Sequence, residues 1–212
     1  MSLEVDHVFI LVQPGAKVAD KLLPLGFEES FGRDHPGQGT SNRRFRFADG
    51  LLEFLWVRDA DEAENGPAQG LRFPQRVATY EASPFGIVLR RKDQLGVGPT
   101  IQSWTYQPVY FEAPKAFRVG TNSSELREPL CIYAPFIEPI QDTGERHTGR
   151  SITSVTVHCP VNEPTEILAA FADVEGLTMV YGKPHLMEIC LNQGRGGRSN
   201  DFRPDIPLII HS

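Results

Sequence analysis

An imidazole and a carboxylate on one face of a sheet can hold a divalent metal or grip a polar ligand directly. His7 and Glu53 are candidates for such a pair. His7 lies in the apolar run Asp6-His7-Val8-Phe9-Ile10-Leu11-Val12, and Glu53 lies in Leu51-Leu52-Glu53-Phe54-Leu55-Trp56-Val57. Both runs have the composition of buried strands. Alternation along a strand puts Val5, His7, Phe9 and Leu11 on one face, and likewise groups Leu51, Glu53 and Leu55. A carboxylate buried unpaired in such a strand costs on the order of several kcal/mol, so Glu53 needs a partner or a wet cavity. Imidazole and carboxylate suit zinc, iron, manganese or nickel, with water completing the shell, and catalytic sites usually take three protein ligands. Three uses are open to the pair: metal ligation, the lining of a metal-free pocket, or a structural ion pair. In a reaction, Glu53 is the residue to move a proton.

Other residues extend the candidate site. Arg43, Arg44 and Arg46 alternate with aromatic residues before the Ala48-Asp49-Gly50 turn. If Arg44 faces the same cavity, its guanidinium can clamp a carboxylate or phosphate; otherwise these arginines form a solvated face. His35, Gln38 and Asn42 lie in a polar Pro- and Gly-containing stretch that would rim a cavity. Trp104, Tyr106 and Tyr110 read either as an aromatic wall for a flat ligand or as a core stripe. Gly194-Arg195-Gly196-Gly197-Arg198 lacks the Lys-Ser/Thr ending and following helix of a phosphate loop, so it reads as a hairpin loop. No serine-histidine-acid arrangement is visible.

Strands are expected over Val5–Val12, Phe27–Phe31, Arg43–Phe47 and Leu51–Val57, and a helix over Ala16–Leu25 closed by Gly26. Residues 59–70 are acidic and rich in small residues, which suggests an exposed loop. From about 84 to 137 the chain reads as β-rich, with strands at Phe85–Arg90, Tyr106–Phe111 and Glu128–Tyr133. Its prolines, Pro99, Pro108, Pro114, Pro129 and Pro135, point to edges and loops. A second unit with the punctuation of the first begins at Ser151. It has a strand to Cys159, a helix capped by Asn162 with Pro164 in its first turn, and strands at Leu177–Tyr181, His185–Leu191 and Ile206–His211. The expected division is a first unit over 3–150, including the β-rich extension, and a second over 151–212.

The chain has 212 residues, enough for a substantial core, and its formal net charge of −6 argues against a nucleic-acid partner. No apolar run approaches a membrane span. Acidic Glu4 and Asp6 stand where a secretion signal would need basic residues, so the expectation is a cytoplasmic protein. Cys131, Cys159 and Cys190 are odd in number, far apart and set in apolar runs, which reads as buried thiols rather than a disulfide framework.

Asp6-His7-Val8 heading the first strand, with Leu51-Leu52-Glu53-Phe54-Leu55 after the Ala-Asp-Gly turn, resembles the vicinal oxygen chelate superfamily. That superfamily includes glyoxalase I, extradiol dioxygenases and bleomycin-resistance proteins. Trp104-Thr105-Tyr106-Gln107-Pro108-Val109-Tyr110 and the stretch from Asn122 to Leu130 are similar to a glyoxalase-like subgroup. The resemblance implies an α+β fold of paired βαβββ units, with a curved mixed sheet forming a cup and helices outside. It places metal ligands on the first and last strands of each unit, which His7 and Glu53 match. Unit two departs from the pattern, with Thr153 and Leu208 at the matching places; His158, Glu188 and His211 are the substitutes to consider. The resemblance also implies a small oxygen-rich metabolite as ligand. Its chemistry would be divalent-metal-assisted lyase, isomerase or dioxygenase chemistry, or metal-free sequestration of the bleomycin-resistance type. A homodimer is a further expectation of the family.

Overall fold

In the computed structural model, which describes residues 3–93, 101–139 and 149–212, the apolar runs become strands. Eight of these form one mixed sheet. They are β1 (Leu3–Leu11), β2 (Glu29–His35), β3 (Thr40–Arg46), β4 (Leu51–Val57), β5 (Phe85–Arg91), β6 (Ser103–Tyr106), β7 (Phe117–Gly120) and β8 (Leu130–Tyr133). Their order is β2-β3-β4-β1-β5-β8-β7-β6. In each half the opening strand lies parallel to the closing one, His7 beside Leu51 and Gly86 beside Leu130. The halves meet where β1 runs antiparallel to β5. This is an α+β fold of paired units around a curved sheet.

The mate of the first unit in this sheet is the middle segment 85–133, not residues 151–212 as the repeat in punctuation suggested. The C-terminal strands are β9 (Ile152–Cys159), β10 (Leu177–Tyr181), β11 (Leu186–Leu191), β12 (Ser199–Asp201) and β13 (Leu208–His211), in a separate sheet ordered β10-β9-β11-β13-β12. The parallel neighbour of β9 is the next strand, β10, whereas that of β1 is the last strand of its unit. Similar strand and glycine signals thus serve two topologies, because strand partnership is a non-local choice. Pro99 lies outside the described residues.

Alternation explains how the sheets pack. Val8 and Ile10 of β1, Leu52 and Phe54 of β4, and Ile87 and Leu89 of β5 point backward. There they share one core with Val155 and Val157 of β9, Met187 and Ile189 of β11, and Leu208 and Ile210 of β13. The C-terminal sheet therefore covers the back of the large sheet, and its front is left to form the cup. A helix between them, α3 (Glu166–Ala172), buries Ile167, Leu168 and Phe171. Its cap is Thr165, whose hydroxyl accepts from the Leu168 amide at 3.3 Å; the expected cap was Asn162. Buried Glu128, just before β8, accepts from the Thr165 amide and hydroxyl, both at 2.7 Å, and from Asn122 at 3.0 Å. One carboxylate thus fastens the C-terminal segment to the middle one.

Two further differences have local causes. The helix expected over Ala16–Leu25 is a pair of 3₁₀ turns, Lys17–Lys21 and Leu23–Leu25. Pro24 has no amide to donate, and Ala16, at φ 46°, offers no side-chain cap. Gly26 does adopt the expected left-handed conformation, at φ 74°. Conversely, the acidic stretch after β4 contains a helix, α1 (Ala60–Asn65), because Asp59 accepts from the Glu62 amide at 3.0 Å. A second helix, α2 (Phe73–Ala78), follows it and closes one end of the cup.

Candidate functional site in the cup of the large sheet

The front face of the large sheet encloses a cavity of about 190 Å³. His7 and Phe9 of β1 line it with Leu51, Glu53 and Leu55 of β4, as strand alternation predicts. His35, Gln38, Arg44, Tyr106 and Tyr110 line it as well. Asn42 and Trp104 do not. Asn42 is buried beside the cavity, its Oδ1 accepting from the Arg33 amide at 2.9 Å. Trp104 donates from Nε1 to Ser123 Oγ at 3.2 Å and braces Tyr106 from behind, ring centroids 6.1 Å apart. Tyr110 is not on the strand of Trp104 and Tyr106; it belongs to the loop after β6.

At the floor, the Nδ1 of His7 lies 2.5 Å from Asp6 Oδ2. Adjacent residues on a regular strand point to opposite faces, but the register between β1 and β5 slips between Val5 and His7, and the irregularity lets Asp6 reach sideways. Arg90 fixes Asp6 in turn. Its Nη1 donates to Asp6 Oδ1 at 2.7 Å, its Nε to Glu4 at 2.7 Å and its Nη2 to the Asp49 carbonyl at 3.0 Å. Burial alone would lower the pKa of His7, but the Asp6 hydrogen bond and the charges of Glu53 and Asp6 outweigh it, so the group is raised above its usual value. The pairing with Asp6 thus favours the protonated form of His7 and leaves its Nε2 for a ligand. Asp6 and Arg90 escaped the sequence reading. The Asp-His pair was in plain view, but nothing local announces the bulge.

Beside it, Glu53 faces the guanidinium of Arg44, whose Nη1 is 3.9 Å away. Arg44 is itself held by Phe31, donating to its carbonyl from Nε and Nη2 at 3.0 and 2.9 Å and lying over its ring. Among the described residues no group donates a hydrogen bond to Glu53, although its side chain is only 12% exposed. A carboxylate in that position has its acceptor capacity free for a ligand.

The polar wall is a relay centred on Thr40 and Gln38. Gln38 Nε2 donates to the Thr40 hydroxyl at 2.7 Å, and that hydroxyl lies 3.0 Å from His35 Nδ1. The hydroxyl accepts from Gln38, so it donates to Nδ1, and the proton of His35 is assigned to Nε2. Burial lowers the pKa of His35 to about 4, so it faces the cavity neutral. Both tyrosines donate to Gln38 Oε1, Tyr106 at 3.1 Å and Tyr110 at 3.2 Å. Burial pushes Tyr110 up to about 12 and Tyr106 higher still, so both are neutral donors.

The opposite wall is apolar. Val88 of β5 and Ile132 of β8 line the cavity from the second half, where ionisable side chains would be needed to complete a ligand set. Phe111, Phe117 and Phe136 pack edge to face or tilted, with centroids 5.1–5.8 Å apart. A resident divalent metal would need about three protein ligands here. His7 and Glu53 supply two donors, and no group of three or more His, Cys, Asp or Glu positioned for a metal occurs among the described residues. The positive charge beside Glu53 is already provided by Arg44. These residues do not fit a resident metal ion. His158, Glu188 and His211, the proposed substitutes, lie instead on the C-terminal sheet. There the Nε2 atoms of both histidines bond to Glu188, at 2.8 and 3.0 Å.

Residues 5–106 match the family model described as a glyoxalase-like domain. No curated protein matches the sequence. Among solved structures, a hypothetical protein from Staphylococcus aureus is similar at a TM-score of 0.58 and 14% identity over 98% of each chain, a likeness of fold. A hypothetical protein from Bacillus halodurans C-125 gives 0.45 at 17% identity, over 67% of this chain and 100% of that one. A methylmalonyl-CoA epimerase in complex with methylmalonyl-CoA and NH4+ gives 0.41 at 13% identity, over 66% and 100%. Among the described residues no helix is long and apolar enough to cross a membrane.

Proposed function

We propose that the cup binds a small oxygen-rich metabolite and catalyses proton transfer at a carbon beside its carbonyl or carboxyl group, as an isomerase or lyase step would require. The observation that carries this reading is the juxtaposition, in one cavity, of a buried histidine held through Nδ1 by Asp6 with a carboxylate that has no hydrogen-bond donor among the described residues. Glu53 takes the proton from carbon. His7, held through Nδ1 by Asp6 and protonated, offers its Nε2 proton to the oxygen on which charge develops, and that hydrogen bond stabilises the charge. Arg44 orients the carboxylate of Glu53 and adds positive charge on the same side. The apolar wall at Val88 and Ile132 also supports the second reading, a metal-free binding protein that holds its ligand without turnover.

The test is hydrogen exchange. A panel of 2-hydroxy and 2-oxo acids is incubated with the protein in D₂O, and the loss of C–H signal is followed by NMR. Exchange in the wild type that falls at least a hundredfold in Glu53→Gln and in His7→Gln is the expected outcome. Ligand binding with no exchange in the wild type leaves sequestration as the function. Dialysis against a chelator is expected to change neither binding nor exchange, and loss of either would restore a metal to the site.

A further inference from the structure

The charge of the cup is unbalanced at its mouth. Arg33 of β2 lines the cavity, with its guanidinium carbon 5.2 Å from the Tyr110 ring centroid and 5.7 Å from that of Phe111. The rings hold the guanidinium in place but do not neutralise it. Among the described residues no carboxylate pairs with Arg33, whereas neighbouring Arg43, Arg44 and Arg58 each face one. Arg33 and Arg44 are also close enough for their charges to oppose one another. The carboxylates lining the cavity are Asp6, taken up by Arg90 and His7, and Glu53, beside Arg44, so the Arg33 guanidinium is left without a counter-charge among the lining residues. An arginine stacked on aromatic rings, with its planar donors unspent, is suited to receive a carboxylate in two parallel hydrogen bonds.

The far wall imposes a second requirement. Val88 and Ile132, together with the phenylalanine cluster, present a surface that a polar ligand would desolvate against without return. The cavity of about 190 Å³ is somewhat larger than the roughly 150 Å³ that admits benzene. We infer that the ligand of this cup is an amphipathic carboxylic acid about the size of a substituted benzene ring, its anionic end received by Arg33 and its ring seated on the Val88–Ile132 wall. The inference rests on the cup being the ligand site. It adds the chemical class of the ligand and assigns Arg33 as the residue that selects it.

Calorimetry with three probes tests this: mandelate, its neutral counterpart 1-phenyl-1,2-ethanediol, and lactate, which keeps the hydroxy acid but lacks the ring. Mandelate is expected to bind the wild type at least tenfold more tightly than either of the others. In Arg33→Met its affinity falls to that of the diol, while the diol's own affinity stays unchanged. Arg33→Lys is expected to recover part of the loss, because a point charge replaces the planar fork. Equal binding of diol and mandelate, or indifference of mandelate to Arg33→Met, overturns the role of Arg33. Lactate binding as tightly as mandelate overturns the role of the apolar wall. Failure of all three to bind at millimolar concentration overturns the ligand class. Recognition and chemistry fail separately: mandelate binding that depends on Arg33, in a protein without proton exchange, sustains this inference and removes the proposed reaction.

Discussion

At the scale of single residues, two histidines in one cavity are driven in opposite directions by their partners. His35 is buried with no carboxylate hydrogen-bonded to it, and burial, helped by the Arg33 and Arg44 charges, lowers its folded pKa to about 4, below its ordinary 6.5. Between these values the unfolded chain binds more protons, and stability rises with pH across that window. The contribution is on the order of 3 kcal/mol, complete above pH 6.5 and lost towards pH 4. Denaturant unfolding across this range is expected to show the slope in the wild type and a flatter one in His35→Asn. His7 has the opposite sign: its raised folded pKa contributes stability fully below 6.5, and this is lost as pH rises through the folded value. In Asp6→Asn the NMR titration of His7 is expected to move down and the alkaline loss to shrink; an unmoved titration would mean that Asp6 does not control the imidazole. Strand parity made His7 and Glu53 legible as one face. Asp6 was not legible, because its direction is set by a slip against β5, eighty residues away in the chain.

At the scale of elements, the cup depends on a close approach between β1 and β5. A Cβ added to Gly86 of β5 would come within 2.0 Å of the Phe9 ring, which lies across this position on its way to Phe73. Gly86→Ala is expected to cost about 1–3 kcal/mol of stability, as overpacking does. The double variant Gly86→Ala/Phe9→Leu should recover most of it, so a double-mutant cycle showing no coupling would refute the contact. Strands with long apolar runs, β1, β4 and β5, were readable within a residue or two. The short strands β7 and β12 were missed, since three or four residues carry no period. α1 was missed for a different reason: Asp59 followed three residues later by Glu62 is a helix-start signal, and the acidic composition around it was read as a loop.

At the scale of the molecule, the C-terminal segment serves as a back wall to the cup, and its attachment runs through Glu128. Glu128→Gln keeps the shape but gives up an acceptor oxygen, and about 1.5–3 kcal/mol is expected to be lost in chemical denaturation, as for hydrogen bonds to a charged group. A smaller loss than in the exposed-pair variant Arg203→Gln would show the clamp to be incidental. Which units pair was not readable from one sequence, because β1 and β9 carry the same punctuation and differ only in the partners they find. At the seam between the first half of the cup and the second, Gln38 accepts two neutral hydrogen bonds from the tyrosines, beside the stacking of Arg33 on Tyr110. At about 1 kcal/mol each, two such bonds would leave roughly 3% of molecules parted there at any instant. If those bonds alone hold the mouth shut, a ligand waits only for a common fluctuation, and arrival is slowed about thirtyfold rather than barred.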